Sequence, residues 1–267
     1  MCESIEHKDR YRIDDLLQIM ELLRSPEGCP WDREQTHHSI RKNFIEEVYE
    51  AAEAIDNGDT GLLREELGDV LLQVVFHAQI EREAKRFDFD DVCDDICKKL
   101  IRRHPHVFAD AAADTAGQGL QNWEDIKKSE KDQETVTQTL HSVPKTLPAL
   151  MRAEKVQKRA AKSGFDYPDI NWAIGDLRSE IEELAEAVET KNKQAITDEL
   201  GDLLFAAVNV ARFVRADPEE SLTKSTGKFI SRFSDVEQLA KQRGIDFKEA
   251  DIDLLDSLWQ EVKNNRK

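Results

Sequence analysis

The chain has 267 residues with only eleven glycines and seven prolines, too few for a β-sandwich with a tight turn every ten residues or for a collagen-like chain. Hydrophobic residues make up 39% and charged residues 35%, which suits long amphipathic helices with solvated outer faces. The net charge of −17 opposes direct nucleic-acid or anionic-membrane binding, so a phosphate-bearing ligand needs metal ions or local cations.

Residues 12–24 place Ile13, Leu16, Leu17, Met20 and Leu23 on one helical face, before the loop SPEGCPWD stops the helix. A second helix is predicted over 38–56, ended by Asn57-Gly58-Asp59. A third, over 61–84, is apolar on nearly every side between Val70 and Phe76 and is expected at the centre of a bundle. A fourth over 89–102 and a short one near 120–130 complete the unit. Residues 129–148 are polar, lack helical periodicity and contain Pro144 and Pro148, marking a linker. The expected organisation is all-α, with two tandem helical-bundle repeats at 1–130 and 147–267 joined by a linker at 131–146. The first fifteen residues have no apolar run and the longest apolar stretches are far too short to span a bilayer, so a cytoplasmic location is expected. Cys2, Cys29, Cys93 and Cys97 form neither a disulfide framework nor a paired zinc motif and read as reduced thiols.

The chain repeats itself. EEVYEAAEAI (46–55) and EELGDVLLQVV (65–75) return as SEIEELAEAV (179–188) and DELGDLLFAAV (198–208) at a single offset of 133. Glu47, Glu50, Glu66 and Asp69 thereby fall on Glu180, Glu183, Glu199 and Asp202. With small drifts in offset, Trp31-Asp32 matches Phe165-Asp166, Lys99 and Arg103 match Lys228 and Arg232, and Trp123 and Lys127 match Trp259 and Lys263.

Residues three apart share a helical face, so Glu47 pairs with Glu50 and Glu66 with Asp69. The sixteen residues from Glu50 to Glu66 allow a turn and a return, which brings four carboxylates together. Such a cluster repels itself unless cations occupy it, and an all-oxygen donor set suits Mg²⁺ or Mn²⁺ better than zinc. An inert acidic face is the bland alternative, but two copies at one spacing argue against it. A di-iron bundle would use Glu-x-x-His pairs, whereas both copies here carry Asp as the fourth ligand. His104 and His106, interrupted by Pro105 and without counterparts in the second half, fit a local structural role. Glu46, Glu53, Glu182 and Glu186 fit either support of the cluster or ordinary surface. Lys228 and Arg232 suit phosphates and Trp259 suits a nucleobase, with Lys263 one turn on; surface charge and core packing are the competing roles.

Taken together, EExxE (46–50), ExxD (66–69), CPWDREQTH (29–37), RRHPHVF (102–108) and the second ELGDLLF (199–205) resemble the two-repeat MazG nucleoside triphosphate pyrophosphohydrolases. The resemblance covers nearly the entire chain. It implies an all-α pyrophosphatase fold, a Mg²⁺ requirement, hydrolysis of nucleoside triphosphates to monophosphate and pyrophosphate, a homodimer, and a role in cleansing nucleotide pools. It points to the C-terminal repeat as the catalyst, with Glu180, Glu183, Glu199 and Asp202 as metal ligands, Lys228, Arg232, Trp259 and Lys263 as nucleotide contacts, and Glu183 or Glu186 orienting water. Ser179 departs from the pattern, standing where the first copy has Glu46. A frame shifted by three, Glu182, Glu183 and Glu186, restores EExxE but shortens the spacing to ExxD; the frame at offset 133 is preferred because it explains every ligand. The residues alone leave open attack at the α- or the γ-phosphorus, and equally a nucleotide sensor or scaffold that binds without turnover.

Overall fold

The computed structural model describes residues 7–109, 115 and 135–265; the expected helix near 120–130, with Trp123 and Lys127, lies outside them. The described residues contain helices and no strand, and the chain divides into two units, Met1–Lys131 and Asp132–Lys267. In the first unit, α1 (Ile13–Arg24) and α3 (Arg41–Asn57) pack on the long α4 (Thr60–Glu83), which also receives α5 (Phe89–Arg103). The short α2 (Pro30–Glu34) occupies part of the segment expected as open loop, because Pro30 supplies a preset first-turn φ, and α6 (Pro105–Phe108) starts on Pro105 in the same way. In the second unit, α8 (Ala149–Lys162), α9 (Ile170–Thr190), α10 (Lys193–Phe213) and α11 (Pro218–Gln242) follow in the same order, and α12 (Ile252–Asn265) packs on α11.

The segment read as a linker is not featureless. Residues 136–141 form α7 (Val136–His141), which packs on α8. A reciprocal capping box between Thr135 and Gln138 starts it, Arg159 Nη1 donates to Thr139 O and to Ser142 Oγ (2.7 Å), and Val143 is buried. A six-residue helix held by one cap and one distant arginine has no periodicity to betray it.

Met20, Ile40, Val75 and Phe76 form the core of the first unit, with Leu16, Leu17, Leu72, Ile80 and Phe89 against them. Val236, Ala240, Leu258 and Val262 form a core of the second, flanked by Leu239, Ile245, Phe247 and Trp259. The apolar centre of α4 is only partly covered: Val75 and Phe76 are buried but Leu71 is exposed, and in α10 Leu204 and Phe205 are exposed while Ala206 and Val208 are buried. These stretches are therefore covered on one side only within the chain. Among the described residues no helix is long and apolar enough to cross a membrane. Cys29, Cys93 and Cys97 are free thiols.

Two charged networks brace the first unit. Buried Arg24 forks onto Glu83 (2.8 and 2.7 Å) and donates Nη1 to Asp32 O (2.6 Å) and Gln35 O (3.2 Å), tying the loop around α2 to α1 and α4. His37 lies 2.7 Å from His77 Nδ1 and 2.5 Å from Glu81 Oε1, and Arg86 donates to both Glu81 oxygens. The Arg86 hydrogen bonds hold the Glu81 carboxyl down at about 2, with the His37 contact helping against burial.

The hairpin that carries the carboxylates is built twice. Gly58 ends α3 in the left-handed conformation (φ 65°) and Asp59 caps α4 by accepting from the backbone of Gly61 and Leu62. At the second hairpin Lys191 takes the same conformation (φ 56°) and Asn192 caps α10. A side chain is strained there by roughly 1–2 kcal/mol. Gly58→Ala should destabilise the protein by about 1 kcal/mol, whereas Lys191→Gly should stabilise it by less than about 1 kcal/mol, since glycine also loosens the unfolded chain. Chemical denaturation of the two variants checks both signs.

Candidate active site

Helix register explains how the carboxylates meet. Glu47 and Glu50 precede the Gly58 turn by eleven and eight residues, and Glu66 and Asp69 follow Asp59 by seven and ten. At about 1.5 Å per residue, Glu47 comes to lie across from Asp69 and Glu50 across from Glu66. Carboxylate oxygens of Glu47, Glu66 and Asp69 lie within 4.8 Å of one another. Burial and the charges of Asp69, Glu50 and Glu66 push the Glu47 carboxyl up, and burial with Glu50 and Asp69 does the same to Glu66. The charge of Glu50 acts on both, so the fourth carboxylate belongs to the same neighbourhood.

The second hairpin repeats the spacing: Glu180 and Glu183 precede Lys191 by eleven and eight residues, and Glu199 and Asp202 follow Asn192 by seven and ten. Oxygens of Glu180, Glu199 and Asp202 again lie within 4.8 Å of one another. The Glu180 carboxyl is pushed up by burial and by Glu183, Asp176, Asp202 and Glu199. The groups brought together are those of the frame at offset 133; Glu182 and Glu186 are exposed and are not among the groups acting on Glu180. In each copy, three oxygens with little positive charge beside them suit the all-oxygen coordination of a hard divalent cation.

The odd residue at 179 takes a clear role. Ser179 Oγ donates to Glu183 Oε1 (3.0 Å), holding that carboxylate, while its counterpart Glu46 is paired with Lys42 (2.9 Å) and is absent from the groups acting on Glu47. Replacing Glu46 by serine thus removes a surface ion pair and no member of the cluster.

The remaining candidates are more dispersed. Lys228 on α11 is exposed and Arg232 is half-buried; on α5, Lys99 is exposed and Arg103 half-buried. Trp259 is half-buried against the Leu258 core, with the Phe229 ring 5.2 Å away, and Lys263 is exposed on the next turn. His104 Nδ1 contacts Leu100 O (2.7 Å) at the junction of α5 and α6, with the His106 ring 5.6 Å away. Two features of the second unit went unread in the sequence: the Tyr167 hydroxyl, pushed up by burial and by Asp176 and Glu180, and Arg212, which donates Nη1 to Asp166 Oδ2 (2.9 Å) and so ties the loop before α9 to α10. The pairing of Asp32 with Asp166 was the available signal for the second.

The MazG nucleotide pyrophosphohydrolase domain matches this chain twice, over residues 35–108 and 173–237, so each match contains one complete carboxylate set. The chain belongs to the MazG family. A nucleoside triphosphate pyrophosphohydrolase of Escherichia coli (strain K12) is 46% identical over 255 residues, covering 94% of this chain and 97% of that one. The nucleoside triphosphate pyrophosphohydrolase/pyrophosphatase MazG of Thermotoga maritima is 45% identical over 250 residues, covering 94% of this chain and 95% of its own. A crystal structure of a mazG-related protein from Thermotoga maritima aligns with 43% of this chain and 99% of that chain at 26% identity and a TM-score of 0.38. This MazG protein is accordingly a hydrolase acting on phosphoric anhydride bonds.

Charge repulsion in the metal-free clusters gives a signed prediction. A carboxyl whose pKa is raised by folding keeps a proton that the unfolded chain has released, so stability falls as pH rises from the unfolded-state value through the folded-state value, and the cost is fully present above it. Glu66→Gln should therefore melt higher than the parent protein in chelator at pH 7. The advantage should shrink as pH falls toward the ordinary carboxyl value of 4.5. Added Mg²⁺ should stabilise the parent more than the variant. Thermal melts at several pH values, with and without Mg²⁺, measure all three.

Proposed function

We infer that this MazG protein converts nucleoside triphosphates to monophosphates and pyrophosphate, acting in the cytoplasm to cleanse nucleotide pools. The metal is Mg²⁺, with Mn²⁺ as a substitute, held by Glu180, Glu183, Glu199 and Asp202. The observation that carries this reading is the duplicated triad of carboxylate oxygens, three within 4.8 Å in each hairpin, with Glu47, Glu66 and Glu180 all pushed up by their neighbours. A bound divalent ion supplies neutralisation of phosphate charge and a more acidic water. The protein's part is position and charge. Glu183, held by the Ser179 hydroxyl and among the charges acting on Glu180, is better placed than Glu186 to orient the attacking water. Lys228 and Arg232 serve the phosphates, with Lys99 and Arg103 in the same role in the first repeat.

A homodimer follows from a face present in both repeats. Val48, Ile55, Leu67 and Leu71 are exposed in the first, and their counterparts Ile181, Val188, Leu200 and Leu204 are exposed in the second. Apolar side chains left in water at the same register twice support a partner surface made by a second copy. In the division of labour that the resemblance implies, the C-terminal repeat performs most hydrolysis and the N-terminal repeat binds metal and nucleotide in assembly or regulation.

Incubation with a panel of ribo- and deoxynucleoside triphosphates and Mg²⁺, resolved by ³¹P NMR, should yield pyrophosphate and monophosphate; diphosphate with orthophosphate would move the attack to the γ-phosphorus. Glu199→Gln with Asp202→Asn should lower pyrophosphate release at least about 100-fold, as expected when charge stabilisation at the reacting centre is removed. Glu66→Gln with Asp69→Asn should retain most activity, and the reverse pattern would reassign catalysis to the first repeat. Light scattering at micromolar concentration should give twice the chain mass.

A further inference from the structure

The turn that leads into α3 meets α4 through two histidines that the carboxylate chemistry does not use. His37 Nδ1 and His77 Nδ1 lie 2.7 Å apart, and the two rings stack with 5.0 Å between centroids and 11° between planes. On its other edge, His37 Nε2 lies 2.5 Å from Glu81 Oε1. Arg86 donates to both oxygens of Glu81 and holds that carboxyl down at about 2, so the carboxylate is ionised and the His37 nitrogen facing it carries a proton. The gap between the two Nδ1 atoms then has room for one proton: one nitrogen donates and the other stays bare.

The elements around the pair do not offset a second charge. From α3, Phe44 sets its ring 5.6 Å from that of His77. From α1, Arg24 is committed to Glu83 and to the backbone oxygens of Asp32 and Gln35, and from the turn after α4, Arg86 is committed to Glu81. Burial and then the charge of His37 push His77 below its ordinary value, and no carboxylate is among the groups acting on it. The turn that carries His37 is closed on itself, because the backbone N–H of Thr36 donates to Ser39 Oγ (2.9 Å) and that of Ser39 to Thr36 Oγ1 (3.2 Å). Ile40, the next residue, is buried in the core and precedes α3. His37 is thus a preformed arm, and its contacts with His77 and Glu81 fasten that arm to α4.

We propose that His37 and His77 form an acid-opened latch on the first repeat: one proton between their Nδ1 atoms fastens the turn before α3 to α4, and a second proton parts the rings. Two N–H bonds cannot both point into a gap of 2.7 Å, and two imidazolium charges stacked at 5.0 Å repel. Exposed to water, each imidazole takes its own proton near about pH 6.5. The opened turn therefore binds one proton more than the closed one. The sign follows: the latch keeps its full hold above about pH 6.5 and loses it as pH falls below that value. Its release reaches α3, which begins at Arg41 and carries Glu47 and Glu50, so acid loosens the entry to the first carboxylate set. The second repeat has no such latch, since the positions matching His37, His77 and Glu81 at offset 133 are Ile170, Val210 and Val214. The first repeat alone thereby gains a response to mild acid.

Amide hydrogen exchange read by peptide mass spectrometry tests the latch on the intact chain between about pH 7.5 and 5, above the range in which Glu81 titrates. Protection of residues 33–41, corrected for the intrinsic exchange rate, should fall by up to about tenfold per pH unit below about 6.5, the factor that one linked proton gives. The matching stretch of the second repeat, residues 166–174, should show no such fall. The raised carboxyls of Glu47, Glu66 and Glu180 act with the opposite sign, since they favour folding as pH falls, so the direction of the change separates the latch from the clusters. His37→Gln keeps a donor for Glu81 and an acceptor for His77 but takes no proton, and His77→Phe keeps a ring beside Phe44; both should flatten the profile. Flat protection in the parent, an equal fall in residues 166–174, or a slope that survives in both variants overturns the latch. Should a variant be unfolded at neutral pH, the contrast between the two stretches of the parent still decides.

Discussion

Four carboxylates facing one another across a helical hairpin set the terms for the rest of each unit. Like charges at this distance oppose folding, and burial together with the neighbouring carboxylates pushes Glu47, Glu66 and Glu180 up. The hairpins must therefore be held from outside the cluster. In the first unit the fork of Arg24 on Glu83 and the Glu81 network of His37 and Arg86 clamp the far end of α4, while Met20, Ile40, Val75 and Phe76 bury its apolar side. In the second, Arg212 on Asp166 fastens the loop that leads into α9. The turn residues set the register, since a one-residue change in either turn would rotate the facing carboxylates about 100° out of alignment.

The same register makes the cluster legible in sequence. Distances from each turn to each carboxylate are identical in the two copies, so a single offset identifies both sets and predicts that they face each other. The helix hairpins follow from periodicity and from Asn57-Gly58-Asp59. What escapes the sequence depends on contacts far along the chain or too local to have a period. The α7 helix rests on one capping box and on Arg159, twenty residues away from Thr139. The His37–His77–Glu81 contacts join residues some forty positions apart, with no counterpart in the second half to draw attention to them.

The repeat was also a poor guide to how residues are used once they are aligned. Glu46 looks like the missing member of the motif opposite Ser179, yet its carboxylate is paired with Lys42 outside the cluster. Ser179 instead places a hydroxyl on Glu183. Spacing reports which side chains share a face; it does not report where a flexible carboxylate turns, which the nearest cation decides.

These substitutions make the two clusters electrostatically unequal despite their common scaffold. The first has Lys42 one turn from Glu46 and an asparagine at position 43, whereas the second has glycine at 175 and a carboxylate at 176 that acts directly on Glu180. The second helix thus sets one more carboxylate, Asp176, beside its cluster than the first does. The first repeat has Lys42 and Asn43 where the second has Gly175 and Asp176, so two neighbouring positions on the early turns of one helix separate two otherwise matching carboxylate sets.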